Sequence, residues 1–438
     1  MNRLTYRIYC YVSSVNHWAR RRLTPGGWIV FVGLILTAGM ATDTEQSLGY
    51  QAFAFLFCLS LAAMVVAPFF RLQFSGERLL PRFGSVGQSM KYSVEIQNLT
   101  GKPQSGLQLL DEIADPRPTL AEFVRSMRPP PGHRRWRWTS APDFRRVSGL
   151  KPRELSPLPA GGTSQVSVEL TPLRRGVLHF RSVTVARPDP FGLFRALCSR
   201  EHGGSLVVLP RRYALPAIPL PGSQRYQPGG VALAAAIGES EEFVSLRDYR
   251  PGDPLRRIHW RSWAKAGRPV VKEFQDEYFV RHALILDTFV APDDGAVFEE
   301  AVSVAASFAC TLDTQESLLD LLFIGPQAYC FTIGRGVAHA DQMLELLASV
   351  QPGAGQPFAA LERLVIEHAP AVSGCICIFL AWDDERRQLV RRLTELSVPV
   401  LVLVVRTPGA SPLERRADDP VALHVLEAGK IGEGLARL

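Results

Sequence analysis

The chain has 438 residues, 47% of them hydrophobic and 21% charged, a composition that excludes collagen, coiled-coil and largely disordered proteins. Its 33 prolines and 35 glycines are too many for an all-helical protein, and its net charge of +7 is a modest basic excess. The length allows two or three domains. The seven cysteines are scattered without zinc-site spacing, which predicts reduced thiols in a cytosolic environment.

Two apolar runs without any charged residue lie near the start of the chain, at residues 26–42 and 48–70. Each is long enough to cross a bilayer as a helix, and only a short acidic connector at 43–47 separates them. We therefore expect a two-helix transmembrane hairpin over residues 26–70. A cleaved signal peptide would need a single short apolar stretch and a small-residue cleavage site, which the second run argues against.

Arginines flank this hairpin on both outer sides, whereas its connector contains no Lys or Arg. The positive-inside rule then predicts that both termini are cytoplasmic. Within the basic N-terminal segment, residues 1–25, apolar side chains recur at helical spacing, which predicts an interfacial helix on anionic lipid; a frayed basic tail is the alternative. These apolar residues are Leu4, Ile8, Val12, Val15 and Trp18.

Residues 71–210 alternate between apolar and polar positions, the pattern of half-buried strands. Strands are expected at 90–97, 163–170, 176–186 and 206–209, with Gly- and Pro-rich turns between them. Several short strands of this kind predict a β-sandwich-like middle domain.

A basic insertion at residues 117–153 interrupts this pattern. It holds ten Lys and Arg against two acidic residues, a local excess of +8. Tryptophan interleaved with arginine suits an anionic membrane surface, and a solvated loop fits the composition almost as well. Nucleic-acid binding is less favoured, because no DNA- or RNA-binding motif accompanies the segment. The candidate residues are Arg134, Arg135, Trp136, Arg137 and Trp138.

The C-terminal region, residues 282–438, alternates apolar strands with amphipathic helices. This order predicts a Rossmann-like α/β domain with a parallel sheet covered on both faces. The expected strands are 282–286, 318–324, 328–333, 375–380 and 399–405, and the expected helices are 296–312, 341–350, 358–368 and 384–396.

Three stretches together resemble one family. They are residues 172–195 (PLRRGVLHFRSVTVARPDPFGLFR), residues 242–273, and the α/β pattern that begins with HALILD at 282–287. The second stretch contains R-x-Y-x-x-G-D-x-x-R-x-I-x-W, a long and specific pattern. With the preceding hairpin, this resembles the bacterial "domain of unknown function 58" family over nearly the whole chain. One departure is Trp263, where the family usually has a small residue.

The motif lies in residues 211–281, a linker between the two globular domains, and its residues are densely charged. An internal ion-pair network and a docking surface for a partner both explain that charge. A catalytic role is least favoured, since Ser245, Ser262 and His259 form no recognisable triad. The motif residues are Arg247, Asp248, Tyr249, Gly252, Asp253, Arg257, His259 and Trp260.

The resemblance implies that the C-terminal domain is von Willebrand factor A-like. Such domains often bind a divalent metal through D-x-S-x-S after the first strand, but here Asp287 is followed by Thr288, Phe289, Val290 and Ala291. Because the hydroxyl ligands are missing, we expect no metal and no other cofactor. Asp287 is instead expected to cap a helix or to accept hydrogen bonds from the backbone.

The sequence therefore predicts an α+β multidomain protein of the bacterial inner (plasma) membrane that faces the cytoplasm. Its expected function is interaction rather than catalysis, as an adaptor in contact with the lipid bilayer. The resemblance implies a MoxR-type AAA+ ATPase as partner, along with related A-domain or membrane proteins. There are two alternatives. One is an enzyme whose reaction is not identified, with hydrolysis as the candidate, and the other is a metal-dependent ligand-binding A-domain.

Overall fold

The computed structural model describes residues 2–40, 47–66, 70, 72–113, 118, 120, 123–124, 146–216, 225–226, 243–253, 255, 258–274, 278–290, 295–311, 317–334, 340–353, 356–411, 413–416, 419–420 and 422–438. The chain divides into two compact units, residues 1–209 and 210–438. Each unit has its own sheets and its own apolar core.

Three helices begin the first unit: α1 (Asn2–Arg22), α2 (Pro25–Met40) and α3 (Ser47–Val66). Helix α3 contains Leu48–Val66, which is long and apolar enough to cross a membrane, whereas α2 is a shorter apolar helix. The two helices contact each other. Among the described residues one helix is thus a candidate membrane span, and the two-span hairpin stays a prediction. Residues 41–42 and 67–69 of the predicted spans lie outside the described residues.

Helix α1 confirms that the basic N-terminal segment is helical. The side chains of its apolar stripe point to solvent, with exposed fractions between 48% and 65% for Leu4, Ile8, Val12, Val15 and Trp18. The opposite side of the helix contacts the rest of the unit: Tyr6 and Tyr9 pack against Phe123, with ring centroids 5.4 and 5.0 Å apart. The helix therefore presents its apolar face outward.

The remainder of the first unit consists of two facing sheets. The first has the strand order β1-β3-β7-β5 and the second β2-β9-β8-β4-β6. Their strands are β1 (Phe74–Leu79), β2 (Phe83–Ser85), β3 (Met90–Asn98), β4 (Gln108–Ile113), β5 (Val147–Ser148), β6 (Arg153–Glu154), β7 (Thr163–Pro172), β8 (Gly176–Pro188) and β9 (Arg195–Leu209).

Alternation of side chains along these strands builds the core between the sheets. In β3, Tyr92, Val94 and Ile96 are buried while Lys91 and Glu95 are exposed, as the period of two requires. The inward residues of both sheets form one apolar cluster. The sandwich-like arrangement expected for the middle of the chain is present.

One buried ion pair lies inside this sandwich. Arg78 donates to both carboxylate oxygens of Asp111, at 2.9 and 2.6 Å, and Tyr92 donates its hydroxyl to the same carboxylate at 2.6 Å. Burial, with Asp111 beside it, raises the pKa of Tyr92 far above its ordinary value. A charge pair this well hydrogen-bonded fixes the strands it joins.

The basic insertion is shorter than its predicted bounds of 117–153. Its last residues belong to the sandwich, because Val147–Ser148 pairs with β7 and Arg153–Glu154 pairs with β4. Sequence alternation missed both strands, since two residues are too few to show a period. Residues 134–138, the proposed membrane-surface or nucleic-acid contacts, lie outside the described residues.

The second unit is built on a sheet with the path β15-β14-β13-β16-β17-β18. Along this path the pairs from β14 to β18 are parallel. The strands are β13 (Tyr278–Leu286), β14 (Ser317–Ile324), β15 (Ala328–Ile333), β16 (Gly374–Phe379), β17 (Val400–Arg406) and β18 (Leu423–Glu427); β10 (Arg225–Tyr226) pairs with the start of β13.

The all-parallel prediction is wrong in two places, because β14 and β15 pair antiparallel at one edge and the two-residue β10 pairs antiparallel with β13. Only three residues connect Ile324 to Ala328, and a parallel crossover needs a dozen or more. Strand β18 was not predicted at all. The pattern LHVLE is too short and too polar to stand out from the loops around it.

Helices cover both faces of this sheet. They are α5 (Gly295–Thr311), α6 (Ala340–Ser349), α7 (Ala359–His368) and α8 (Asp384–Glu395), with the short α9 (Ile431–Leu435) near the end of the chain. Every residue of β16 is buried, as expected for a central strand covered on both faces. On one face Ile285 and Cys377 pack with Leu361 and Leu389 of α7 and α8.

The motif segment forms a small structure in the second unit. Strands β11 (Phe243–Asp248) and β12 (Val270–Phe274) pair antiparallel, and helix α4 (Trp260–Ala266) lies between them in sequence. Helix α4 ends at Gly267, which takes the left-handed conformation with φ of 68°. The chain turns into this helix at residue 260, directly after the buried Ile258.

Candidate functional site

The motif turn is held by a two-bond ion pair between its first and last charged residues. Arg247, in β11, donates to Oδ2 and Oδ1 of Asp253 at 2.7 and 2.8 Å. The backbone N–H of Arg250 donates to the same carboxylate at 2.8 Å. Two parallel charge-assisted bonds fix orientation as well as distance, so Asp253 closes the turn rather than pointing to solvent.

Backbone geometry explains why glycine and proline occur here. The Asp253 N–H donates to the carbonyl of Arg250 at 3.0 Å, closing a turn in which Gly252 has a φ of 108°. Only glycine adopts that φ without strain. Tyr249 donates its N–H to the carbonyl of Pro269 at 3.0 Å, which joins the turn to β12.

The Asp253 carboxylate is strongly stabilised in its ionised form. Its hydrogen bonds from Arg247 and from the Arg250 backbone lower its pKa to about 2. A carboxylate so fully engaged accepts no proton near neutral pH and is a poor general acid or base. The geometry therefore favours the ion-pair interpretation of Arg247 and Asp253 over a catalytic one.

Large apolar side chains project outward beside this turn. Leu255 is 67% exposed and Trp260 is 64% exposed. The ring of Trp260 stacks on Trp263, with centroids 5.1 Å apart and planes inclined by 18°. Exposed apolar side chains that are grouped on a surface mark interaction sites more often than single ones do.

Basic residues surround these side chains. Arg250, Arg261 and Lys265 are exposed, as is Arg268, which pairs with Asp248 at 3.1 Å between two well-exposed side chains. A surface pair of this kind contributes little to stability. We call the set Leu255, Trp260, Arg261, Trp263 and Lys265 the α4 face. Its tryptophan and arginine are the residue types that dominate binding energy at protein interfaces.

The other predicted motif residues have local partners or lie outside the described part. His259 Nδ1 and Ser262 Oγ are 2.6 Å apart, across the first turn of α4. His259 is the residue before α4 and Ser262 is the third residue of the helix, so the helical turn itself brings the two side chains together. Arg257 lies outside the described residues.

A second candidate site lies where β13 and β16 end. The sheet order reverses between these two strands, and open α/β sheets bind their ligands in the crevice at such a point. Asp287 immediately follows β13 and is fully buried. It accepts backbone N–H groups of Phe289 at 2.9 Å and Leu380 at 3.2 Å, as the sequence predicted for a retained strand-end carboxylate.

An arginine side chain fills this crevice. Arg386, on α8, donates from Nε and Nη2 to Oδ2 of Asp287 at 3.1 and 3.0 Å. The same guanidinium donates to Asp383 at 2.6 Å and lies 4.3 Å from the ring centroid of Phe358. Burial raises the pKa of Asp287, while Arg386 and the two backbone donors oppose that rise.

The arrangement does not suit a divalent cation. A fixed positive charge already neutralises Asp287, and Phe289, in the first hydroxyl position of the metal motif, packs its ring 5.6 Å from Phe358 instead. Among the described residues, no three His, Cys, Asp or Glu side chains are grouped as metal ligands would be. Ala291, in the second hydroxyl position, lies outside the described residues.

Arg386 is the residue that sequence reasoning missed. Asp383 caps α8 by accepting the Arg386 N–H at 3.1 Å, and the spacing of three residues orients the two side chains toward each other. An acidic helix cap followed by arginine, directly after a buried strand, was visible in the sequence. Its pairing with a residue 99 positions earlier was not.

Residues 245–402 match a family model described as "Protein of unknown function DUF58". The chain is also 30% identical over 202 residues to the "Uncharacterized protein YeaD" of Bacillus subtilis (strain 168), in a match covering 45% of this chain. That match spans about half, 48%, of the relative's length.

Solved structures give only weak likeness. Trypsin-activated alpha-2-macroglobulin from Escherichia coli aligns with 37% of this chain and 9% of its own, with 15% identity and a TM-score of 0.18. Its native form aligns with 75% of this chain and 16% of its own, with 12% identity and a TM-score of 0.20. Scores this low carry no argument about fold or function.

Proposed function

This chain belongs, through residues 245–402, to the DUF58 family of proteins of unknown function, and from that premise we propose that it is a membrane-anchored adaptor. In this proposal it faces the cytoplasm from the bacterial inner membrane and has no catalytic activity of its own. Its α4 face docks a MoxR-type AAA+ ATPase.

Membrane anchoring is supported by the surface of the N-terminal helices. Side chains that α2 and α3 expose are large and apolar, among them Ile29 and Leu36 on α2 and Phe55 and Leu61 on α3. Burying them in lipid removes that surface from water. Helix α1 then lies in the interface with its apolar stripe toward the lipid, and the arginine distribution keeps both termini cytoplasmic.

We also propose that the α/β sheet of the second unit is von Willebrand factor A-like. Numbered within the unit from β13 onward, its strands follow the order 3-2-1-4-5-6, which makes the β13–β16 crevice the expected ligand site. In this chain Arg386 occupies the cation's place opposite Asp287. A unit whose ligand crevice is closed by its own side chain must act through another surface.

The observation that carries the adaptor function is the α4 face on its locked turn. The Arg247–Asp253 pair fixes the turn without using the exposed side chains, so Trp260 and Leu255 are held in place before any partner arrives. Preorganisation of this kind reduces the entropy lost on binding. In this proposal the motif has two roles: the Arg247–Asp253 pair is structural, and the α4 face is the docking surface.

The test is co-purification of the full chain with the MoxR-type ATPase of the same organism, both produced in native membranes and recovered through a C-terminal tag. Wild type should retain the ATPase. Trp260→Ala with Leu255→Ala should reduce its recovery by about tenfold or more, as loss of an interface hot spot does.

A matched control is Leu396→Ala, which removes a leucine 49% exposed elsewhere in the same unit. It should leave ATPase recovery unchanged. An ATPase that never accompanies the wild-type chain refutes the partner, and equal losses in both variants refute the α4 face as the docking surface.

A further inference from the structure

The junction between α1 and α2 is fixed to the sandwich by the turn that follows β8. Thr24 donates its hydroxyl to the carbonyls of Gly192 and Leu193, the latter at 3.1 Å, and its N–H also donates to Leu193, at 3.0 Å. The same hydroxyl accepts the Gly27 N–H at 3.0 Å and so caps the start of α2. Helix α2 therefore begins in direct contact with this turn.

Two buried charged side chains brace the same junction. Asp189 accepts the N–H groups of Leu193 and Phe194 at 2.7 and 3.2 Å, which shapes the turn. Arg195 donates to the carbonyl of Leu23 at 3.1 Å, at the end of α1, where helix carbonyls lack partners. The R-P-D-P-F-G-L-F-R stretch of the sequence thus positions the helix that leaves the sandwich.

The chain returns from α3 at the same end of the sandwich. The Sγ of Cys198, near the start of β9, donates to the carbonyl of Leu72 at 3.0 Å. The N–H of Leu99, just after β3, donates to the carbonyl of Gln73 at 3.0 Å. The β8–β9 turn and the loop after β3 therefore flank the points where the helical segment departs and returns.

Each of these two segments, the β8–β9 turn and the loop after β3, exposes one large apolar side chain. Phe191 is 50% exposed and Leu99 is 55% exposed. Basic residues accompany them, since Arg187 and Lys102 are exposed in the same two segments. An apolar tip beside a basic side chain suits the boundary between acyl chains and anionic headgroups.

We propose that Phe191 and Leu99 insert into the interface of an anionic bilayer and seat the end of the sandwich on the membrane. The inference rests on the proposed membrane anchoring, because α2 and α3 must enter lipid for these loops to meet it. Lipid is favoured over a protein partner because the two side chains lie beside the helix ends themselves. The sandwich then sits on the bilayer in a fixed orientation instead of swinging on its helices.

The test places a nitroxide at single positions of the full chain in phosphatidylcholine–phosphatidylglycerol nanodiscs. The label is attached to p-acetylphenylalanine, so the seven native cysteines remain in place. Collision with oxygen, which concentrates in lipid, is compared with collision with nickel-EDDA, which stays in water. The oxygen-to-nickel ratio at positions 191 and 99 should be several-fold higher than at Leu173, which is 38% exposed beyond the opposite end of β8.

A label at Ile35 in α2 separates the two ways of failing. If Ile35 lies in lipid while positions 191 and 99 match Leu173, the seating is wrong and the membrane span stands. If Ile35 is as accessible to nickel as Leu173, the proposed span fails and the seating fails with it.

A second measurement needs no substitution. Phosphatidylglycerol carrying a diazirine on its acyl chain is activated beside the wild-type chain, and adducts are mapped by mass spectrometry. Adducts should form within residues 188–195 and 97–103 and be absent from residues 172–177. The opposite distribution overturns the proposal even if a label has disturbed one of the turns.

Discussion

Arg386 donates from Nε and Nη2 to a single carboxylate oxygen of Asp287, at 3.1 and 3.0 Å, where the strand order of the α/β sheet reverses. Both side chains are buried, with 7% of the arginine and none of the carboxylate exposed. The position that offers a ligand crevice in other open sheets is therefore closed from within by an ion pair.

Removing the carboxylate charge should destabilise the second unit strongly. In Asp287→Asn the buried Arg386 guanidinium loses its buried counterion and keeps only Asp383, whose side chain is 46% exposed. Breaking a buried pair in this way typically costs about 3–5 kcal/mol. Hydrogen exchange of the peptides around β13 and β16, measured on the full chain, should then accelerate by about 100-fold or more.

Asp383→Asn provides the matched control, because Asp383 contacts the same guanidinium but its side chain is 46% exposed. Asparagine caps a helix as well as aspartate does, so the change should cost within about 1 kcal/mol. Asp287→Asn with Arg386→Met should recover much of the lost protection, since no uncompensated charge remains. Equal exchange in the two single variants would contradict this account.

The motif turn should depend on pH only in strong acid. Its hydrogen bonds hold the pKa of Asp253 at about 2, against an ordinary value of about 3.9. Because the folded pKa is lowered, the carboxylate's contribution is present above the ordinary value and is lost as pH falls through about 2. The carboxyl ¹³C resonance of Asp253, assigned through Asp253→Asn, should titrate in that range.

Arg247→Gln removes the guanidinium and leaves the Arg250 backbone bond in place. The Asp253 titration should move back toward the ordinary range in this variant. A wild-type resonance that already titrates near 4 would show that the Arg247–Asp253 pair does not form in solution.

The junction of α2 with the sandwich should not tolerate any side chain at position 27. A Cβ added to Gly27 would lie 2.1 Å from the carbonyl oxygen of Leu193, so Gly27→Ala must displace the helix start or the turn. Overpacking of this kind costs about 1–3 kcal/mol or more. Exchange in residues 189–197 should rise in the full chain reconstituted in nanodiscs.

Gly39 lies on the same helix and has nothing within 4 Å of an added Cβ. Gly39→Ala should therefore leave exchange in residues 189–197 unchanged. If the two alanine variants behave alike, the close approach of α2 to the turn is not maintained in the membrane.

How much of this structure the sequence predicts depends on how local each feature is. Strands β16 and β17 were expected at 375–380 and 399–405 and are found at Gly374–Phe379 and Val400–Arg406. Continuous apolar runs bounded by helical patterns identify central parallel strands well. The antiparallel β15 also has its predicted bounds. Its direction depends on the three-residue connection to β14, and hydrophobic periodicity gives no information about strand direction.

The candidate sites depend on contacts that the sequence shows only in part. Arg247 and Asp253 are six residues apart, and an ion-pair network was one of three interpretations of the motif, beside a docking surface and a catalytic role. The exposure of Trp260 could not be predicted, because the apolar character of a residue by itself favours a buried position. Arg386 and Asp287 are brought together by the strand order of the sheet, which no local pattern specifies.

The contact between His259 and Ser262 should carry no hydrolytic chemistry. Their 2.6 Å separation spans one helical turn, and α4 would produce it without any substrate. We expect that a fluorophosphonate probe, which labels activated serines, leaves Ser262 unmodified in the full chain. Ser262→Ala should likewise keep ATPase co-purification at the wild-type level, because the hydroxyl lies outside the α4 face. Labelling of Ser262 that disappears in His259→Ala would instead establish a serine–histidine pair and favour the enzymatic alternative.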